Sequence, residues 1–104
     1  MRFALSAALF AFLQTAAAAH AHMPLCMCTD NGDNTITCQG GFSDGSSAAG
    51  VTMRILATDG RLLMEGRMDE EAEFTFQKPR NDFVVLFDAG PEHQLRVPGR
   101  QIAD

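Results

Sequence analysis

Histidine, cysteine and methionine carry most of the chemistry available to this 104-residue chain, and they crowd into one stretch. His20-Ala21-His22 comes first. A free amine on His20, two deprotonated backbone amides and the His22 ring close fused chelate rings in a plane, the geometry that suits Cu(II) and Ni(II). The chelate exists only where His20 is the processed N-terminus. Upstream, Arg2 supplies a positive start, Phe3 to Leu13 is an unbroken small and apolar run with one serine, and Ala16 to Ala19 offers an A-x-A cleavage site. Together these read as a secretory signal over residues 1–19. Cleavage after Ala19 exposes His20; the overlapping signal Ala19-His20-Ala21 releases a chain that begins at His22. The apolar run is well short of the ~20 residues of a spanning helix and no second run follows, so the mature chain is expected to work in the periplasm without a membrane span.

Met23, Cys26, Met27, Cys28 and Cys38 follow as a group of soft donors, and thiolate with thioether favours Cu(I). Met27 lies at strand spacing and is expected to pack. In an oxidising compartment three cysteines allow one disulfide and leave one thiol over. A three- or five-residue hairpin loop sets Cys38 opposite Cys26 or Cys28, and spacing leaves both pairings open. His93 comes after the strand break Asp88-Ala89-Gly90-Pro91. No nucleophile and base pattern accompanies these residues. Ser43, Ser46 and Ser47 have no histidine motif beside them, Gly40-Gly41 lacks the helix a phosphate site needs, and Asp69-Glu70-Glu71 reads as a solvated turn. The chain is therefore expected not to be an enzyme.

What must position these groups is a single small domain, about 85 residues once the signal is removed, with a thin core and little room for an internal cavity. Large enzymes are excluded. The chain has 8 Lys and Arg against 13 Asp and Glu, a formal charge of −5 that becomes −6 without Arg2. Acidic residues are spread along it and no basic patch forms, so nucleic acid is not expected as a partner.

The hydrophobic period is two throughout, with turn signals every 8 to 12 residues and no amphipathic helical repeat. Leu25 to Thr29 and Thr35 to Phe42 flank Asp30-Asn31-Gly32-Asp33, where Asn-Gly marks a hairpin. Gly40-Gly41 reads as a bulge. Val51 to Ala57 and Leu62 to Arg67 pair across Asp59-Gly60, and Glu73 to Gln77 turns both its aromatics inward. Phe83 to Phe87 is apolar at every position, as a strand covered on both faces would be. His93 to Val97 is the last strand. Seven short strands predict an all-β fold, a small immunoglobulin-like or transthyretin-like β-sandwich over residues 25–98. It follows a metal-binding tail (20–24) and precedes a polar tail (99–104). The expected core is Ile36, Phe42, Val51, Met53, Ile55, Leu62, Phe74, Phe76, Val85, Phe87, Leu95 and Val97. In such a sandwich the rim before Leu25 and the rim after Phe87 can meet at one end. His93 then joins the N-terminal histidines, with Asp88 as the carboxylate that receives a ligating ring's other N–H.

Several segments occur together in a known family. Besides His20-Ala21-His22, these are Gly41-Phe42-Ser43-Asp44-Gly45-Ser46, Gly60-Arg61-Leu62-Leu63-Met64-Glu65-Gly66, Asp69-Glu70-Glu71-Ala72-Glu73-Phe74-Thr75-Phe76 and Asp88-Ala89-Gly90-Pro91-Glu92-His93. In this order, over about residues 20 to 97, the chain resembles the NikL/CbiL-type accessory proteins of energy-coupling-factor nickel and cobalt transporters, which carry a carboxypeptidase-regulatory-like domain. The resemblance implies an extracytoplasmic β-sandwich that assists delivery of Ni(II) or Co(II) to the membrane components of a transporter, with His20, His22 and His93 at the metal-handling end. Family members have glycine where this chain has Ala72, and apolar residues in place of Pro24, Cys26 and Cys28. That soft-donor enrichment leaves copper as an alternative cargo. A β-sandwich interaction module without a metal is the third reading.

Overall fold

The computed structural model describes residues 22–104, so the signal read over 1–19 and His20, expected as a metal ligand, lie outside the described residues. Seven strands run in chain order: β1 (Pro24–Asp30), β2 (Thr35–Phe42), β3 (Thr52–Ala57), β4 (Leu62–Arg67), β5 (Glu73–Gln77), β6 (Phe83–Asp88) and β7 (Gln94–Pro98). They form two antiparallel sheets, β1-β2-β5 and β4-β3-β6-β7, packed together as a small all-β sandwich.

Turn chemistry sets the first hairpin. Asp30 Oδ1 accepts the Gly32 N–H at 2.9 Å, and Gly32 and Asn34 take φ of +82° and +74°, the left-handed region that glycine and asparagine enter most cheaply. Asp30 pairs with Ile36, so residues 31–35 close the hairpin, and the ladder runs regularly to Pro24 opposite Phe42. That five-residue loop decides the disulfide. Cys28 faces Cys38 directly and is bonded to it, their Cα atoms 3.9 Å apart, while Cys26 faces Gly40 and stays a free thiol.

Period-two patterning builds the core. Ile36, Met53, Ile55, Val85 and Phe87 are fully buried between the sheets, each contributing roughly 1.5–3 kcal/mol relative to exposure. Phe42, Val51, Phe74, Leu95 and Val97 pack against them half-buried. Leu62 does not belong to this core. It is 50% exposed, because the β3–β4 register shifts beside Leu56, leaving Leu63 as an extra residue and turning Leu62 to the face opposite Met64. The bulge expected at Gly40-Gly41 is likewise absent, as both glycines stay in register with β1. Gly40 serves close packing instead: a Cβ there would lie 2.6 Å from Met68 Sδ and 2.8 Å from a Phe87 ring carbon. Met68, Ala48 and Ala72 fill the core from loops, where period-two reading has no purchase. Ala72 does so at φ +59°, a left-handed conformation that favours glycine.

One further expectation changes. Met27 is 72% exposed, since Cys26 and Cys28 take the inner face of β1 and strand alternation sends Met27 outward. The polar residues 99–104 pack back on the sandwich. Gly99–Gln101 forms a 3-10 turn, Ile102 packs on the core, and Ala103 O accepts the Asp30 N–H at 3.0 Å. Among the described residues no helix is long and apolar enough to cross a membrane.

Candidate metal centre

Antiparallel pairing steps one residue forward on one strand for each residue back on the other. Continued two steps past Pro24 and Phe42, the β1–β2 ladder brings His22 opposite Asp44. The chain holds to that register: Ser43 N–H donates to Met23 O at 2.9 Å, and Met23 N–H donates to Ser43 Oγ at 2.9 Å. His22 Nδ1 lies 2.6 Å from Asp44 Oδ2. The other carboxylate oxygen accepts the Ser46 N–H at 3.0 Å and the Ser46 hydroxyl at 2.6 Å, an Asp-Gly-Ser turn with Gly45 at φ +85°. The Ser46 hydroxyl, then its N–H, and beyond these the His22 ring hold the Asp44 carboxyl below its usual range. Asp44 is thus a fixed anion placed to accept a proton from His22 Nδ1, the tautomer of a neutral ring that leaves the Nε2 lone pair for a metal.

The opposite wall comes from the other sheet. After β6 the chain turns tightly, with His93 N–H donating to Gly90 O at 2.9 Å and Ala89 N–H to His93 O at 3.1 Å. Asp88 builds this turn: Oδ1 accepts the Gly90 N–H at 3.0 Å and the Gln94 amide at 3.1 Å, while Oδ2 receives Arg54. Those contacts, Gln94 first, lower its pKa. Asp88 therefore positions the loop that presents His93. The carboxylate on a histidine ring is Asp44, which sequence reasoning misses; its signal is the Asp-Gly-Ser turn that begins two residues beyond the strand.

His22 and His93 meet edge-on with ring centroids 6.1 Å apart, and His22 also stands edge-on to Phe42 at 6.2 Å. Phe42 in turn packs on the buried Phe87 at 5.8 Å, which anchors the histidine end to the core. A shallow pocket of about 180 Å³ lies between them, lined by His22, Phe42, Ser46, Ala89 and His93. At an ordinary metal–nitrogen distance of about 2 Å, two imidazole centroids sharing one ion stand roughly 5.3 Å apart at a tetrahedral angle and roughly 6.5 Å at a linear one, so rings 6.1 Å apart need to close by about 1 Å to hold a divalent cation tetrahedrally. The planar chelate expected with His20 uses a different atom. Only Nδ1 of His22 closes a six-membered ring with the residue's own backbone nitrogen, and Nδ1 is the atom on Asp44. Chelate and Asp44 contact exclude each other.

The soft donors divide. Met23 is 66% exposed on the outer face, away from the cysteines on the inner one. Burial pushes the Cys26 thiol up to about 11, so it is protonated and weakly nucleophilic at neutral pH. Protein families, curated proteins and solved structures contain no match to this chain.

Proposed function

We propose that this chain is a periplasmic accessory protein that takes up Ni(II) or Co(II) at His22 and His93 and hands it to the membrane components of an energy-coupling-factor transporter. One observation carries the reading. Two histidines 71 residues apart in sequence come within 6.1 Å over an open pocket, and a carboxylate engages the Nδ1 of one of them. A ligating imidazole with its second nitrogen bonded to a carboxylate has its tautomer and orientation set for metal. Two protein ligands at an open pocket leave coordination positions vacant for solvent or a recipient's donors, as a protein that passes its cargo on requires. Ni(II) and Co(II) suit imidazole nitrogen, and the signal-like leader favours a location outside the cytoplasm. The resemblance to NikL/CbiL-type proteins supplies the transporter.

Titration of the processed protein with Ni(II) and Co(II), alongside His22→Ala and His93→Ala, tests this. Both variants should lose at least tenfold in affinity with an unchanged strand spectrum. Equal affinity in His93→Ala would remove the shared site. A second reading, a metal-free interaction module, draws on the apolar row Met23, Leu25 and Met27 on the outer face of the edge strand β1, all more than half exposed. Absence of any Ni(II) or Co(II) binding would favour it.

A further inference from the structure

Away from the histidine pocket, the inner face of the first hairpin holds Cys26, Cys28 and Cys38 with their sulfur atoms all within 4.8 Å of one another. We propose that reduction of the Cys28–Cys38 bond converts this cluster into a three-sulfur site for a soft monovalent cation, Cu(I), separate from the His22–His93 site.

The hairpin register makes the cluster. Cys26 and Cys28 are two apart on β1 and share its inner face, Cys38 is directly across from Cys28, and Cys26 faces Gly40, which brings no side chain of its own. Three sulfurs around a trigonal cation at about 2.3 Å stand roughly 4 Å from one another. The disulfide sulfurs need only part to contact distance, and the third is already within range. No carboxylate or imidazole belongs to this group among the described residues, and the neighbouring core residues are apolar. A tetrahedral cation such as Zn(II) would want a fourth donor that the group lacks, whereas soft thiolates select Cu(I).

The chemistry balances with a dithiol as reductant. Its two thiols give up two electrons and two protons and become a cyclic disulfide; the Cys28–Cys38 bond takes them up and becomes two thiols. Cu(I) then binds the sulfurs and displaces thiol protons to solvent, with no change in the oxidation state of copper. In the oxidised protein a single thiol remains, so the site is closed. Redox state gates it.

The experiment uses the processed protein, reduced with dithiothreitol and freed of it under nitrogen, and titrates Cu(I) against the chromophoric competitor bicinchoninate. Reduced protein should take one equivalent from a competitor concentration at which oxidised protein takes none. Cys26→Ser, which keeps the disulfide, should bind at least tenfold more weakly once reduced. His22→Ala should match the parent, which separates this site from the proposed nickel and cobalt pocket. Equal binding by oxidised and reduced protein overturns the proposal, and so does parental affinity in reduced Cys26→Ser. A reduced chain that loses its strand spectrum and does not regain it with one equivalent of Cu(I) overturns it as well.

Discussion

Asp44→Asn separates the two ways in which His22 can hold a metal, because they predict opposite signs. The oxygen of the introduced amide would still accept from the Ser46 N–H and hydroxyl, which turns the amide nitrogen toward His22 Nδ1 in place of Asp44 Oδ2. An amide N–H can face Nδ1 only if Nδ1 becomes the acceptor. The ring proton then moves to Nε2 and occupies the lone pair that the pocket site needs. Removing such an orienting carboxylate typically costs 10–100-fold in metal affinity. The His22 side chain is 54% exposed and Asp44 26%, so solvent screens the contact and the expected loss is at the lower end, about tenfold for Ni(II). The assay is competition with a colorimetric chelator at neutral pH, on protein whose N-terminus has been sequenced, with a companion bearing one extra residue before His20. The pocket site predicts weaker binding in Asp44→Asn and parental binding in the extended protein. A terminal chelate predicts the reverse, since freeing Nδ1 favours it and extension destroys it. Equal or tighter binding in Asp44→Asn would refute the pocket mechanism.

Other expectations concern the frame that holds the site. Replacing both Cys28 and Cys38 by serine opens a cross-link spanning 10 positions and should lower stability by about 3 kcal/mol in urea unfolding; a change below about 1 kcal/mol would show that the hairpin is held by packing alone. Gly40→Ala should destabilise by about 1–3 kcal/mol, because the flexible Met68 can yield but the Phe87 ring cannot, and a melting temperature equal to the parent's would contradict the close packing. Lys78 holds the Asp30 carboxyl low, ahead of the Gly32 N–H, and Gln94, Gly90 and Arg54 do so for Asp88. Folded-state values below the unfolded ones mean that this stability is present above about pH 4 and lost as pH falls through the folded values; melting curves from pH 7 to 2 should show it, with a shallower acid loss in Asp30→Asn. Iodoacetamide should modify Cys26 at least tenfold more slowly in native than in unfolded protein at pH 7.5, and equal rates would mean that the thiol is not shielded.

Much of the sandwich is legible in its residues. Alternation places seven strands within a residue or so of where they lie, and Asp-Asn-Gly-Asp and Asp-Gly locate two hairpins, because side-chain period and turn conformation are local properties. Leu62 escapes this reading since one extra residue, Leu63, reverses the parity of everything beyond it, and no local signal marks that slip. Gly40 resembles a bulge residue, since a glycine demanded by a neighbour's ring looks in sequence like one demanded by the backbone. Asp44 is hidden for a similar reason: its turn is legible, but its facing partner depends on the length of a loop ten residues earlier.

By itself the sequence determined which residues face inward on most strands, where the chain reverses, and that His22 stands before the first strand and His93 at the start of the last. Those are consequences of backbone geometry over a few residues. Which cysteine Cys38 bonds followed from the hairpin register, one step less local. Only the tertiary structure decided that His22 and Asp44 on one sheet meet His93 on the other. The two rims are joined by no ladder, and their approach is set by how closely the sheets pack on Phe87, Met53 and Ile36, a distance that depends on every side chain in the core at once.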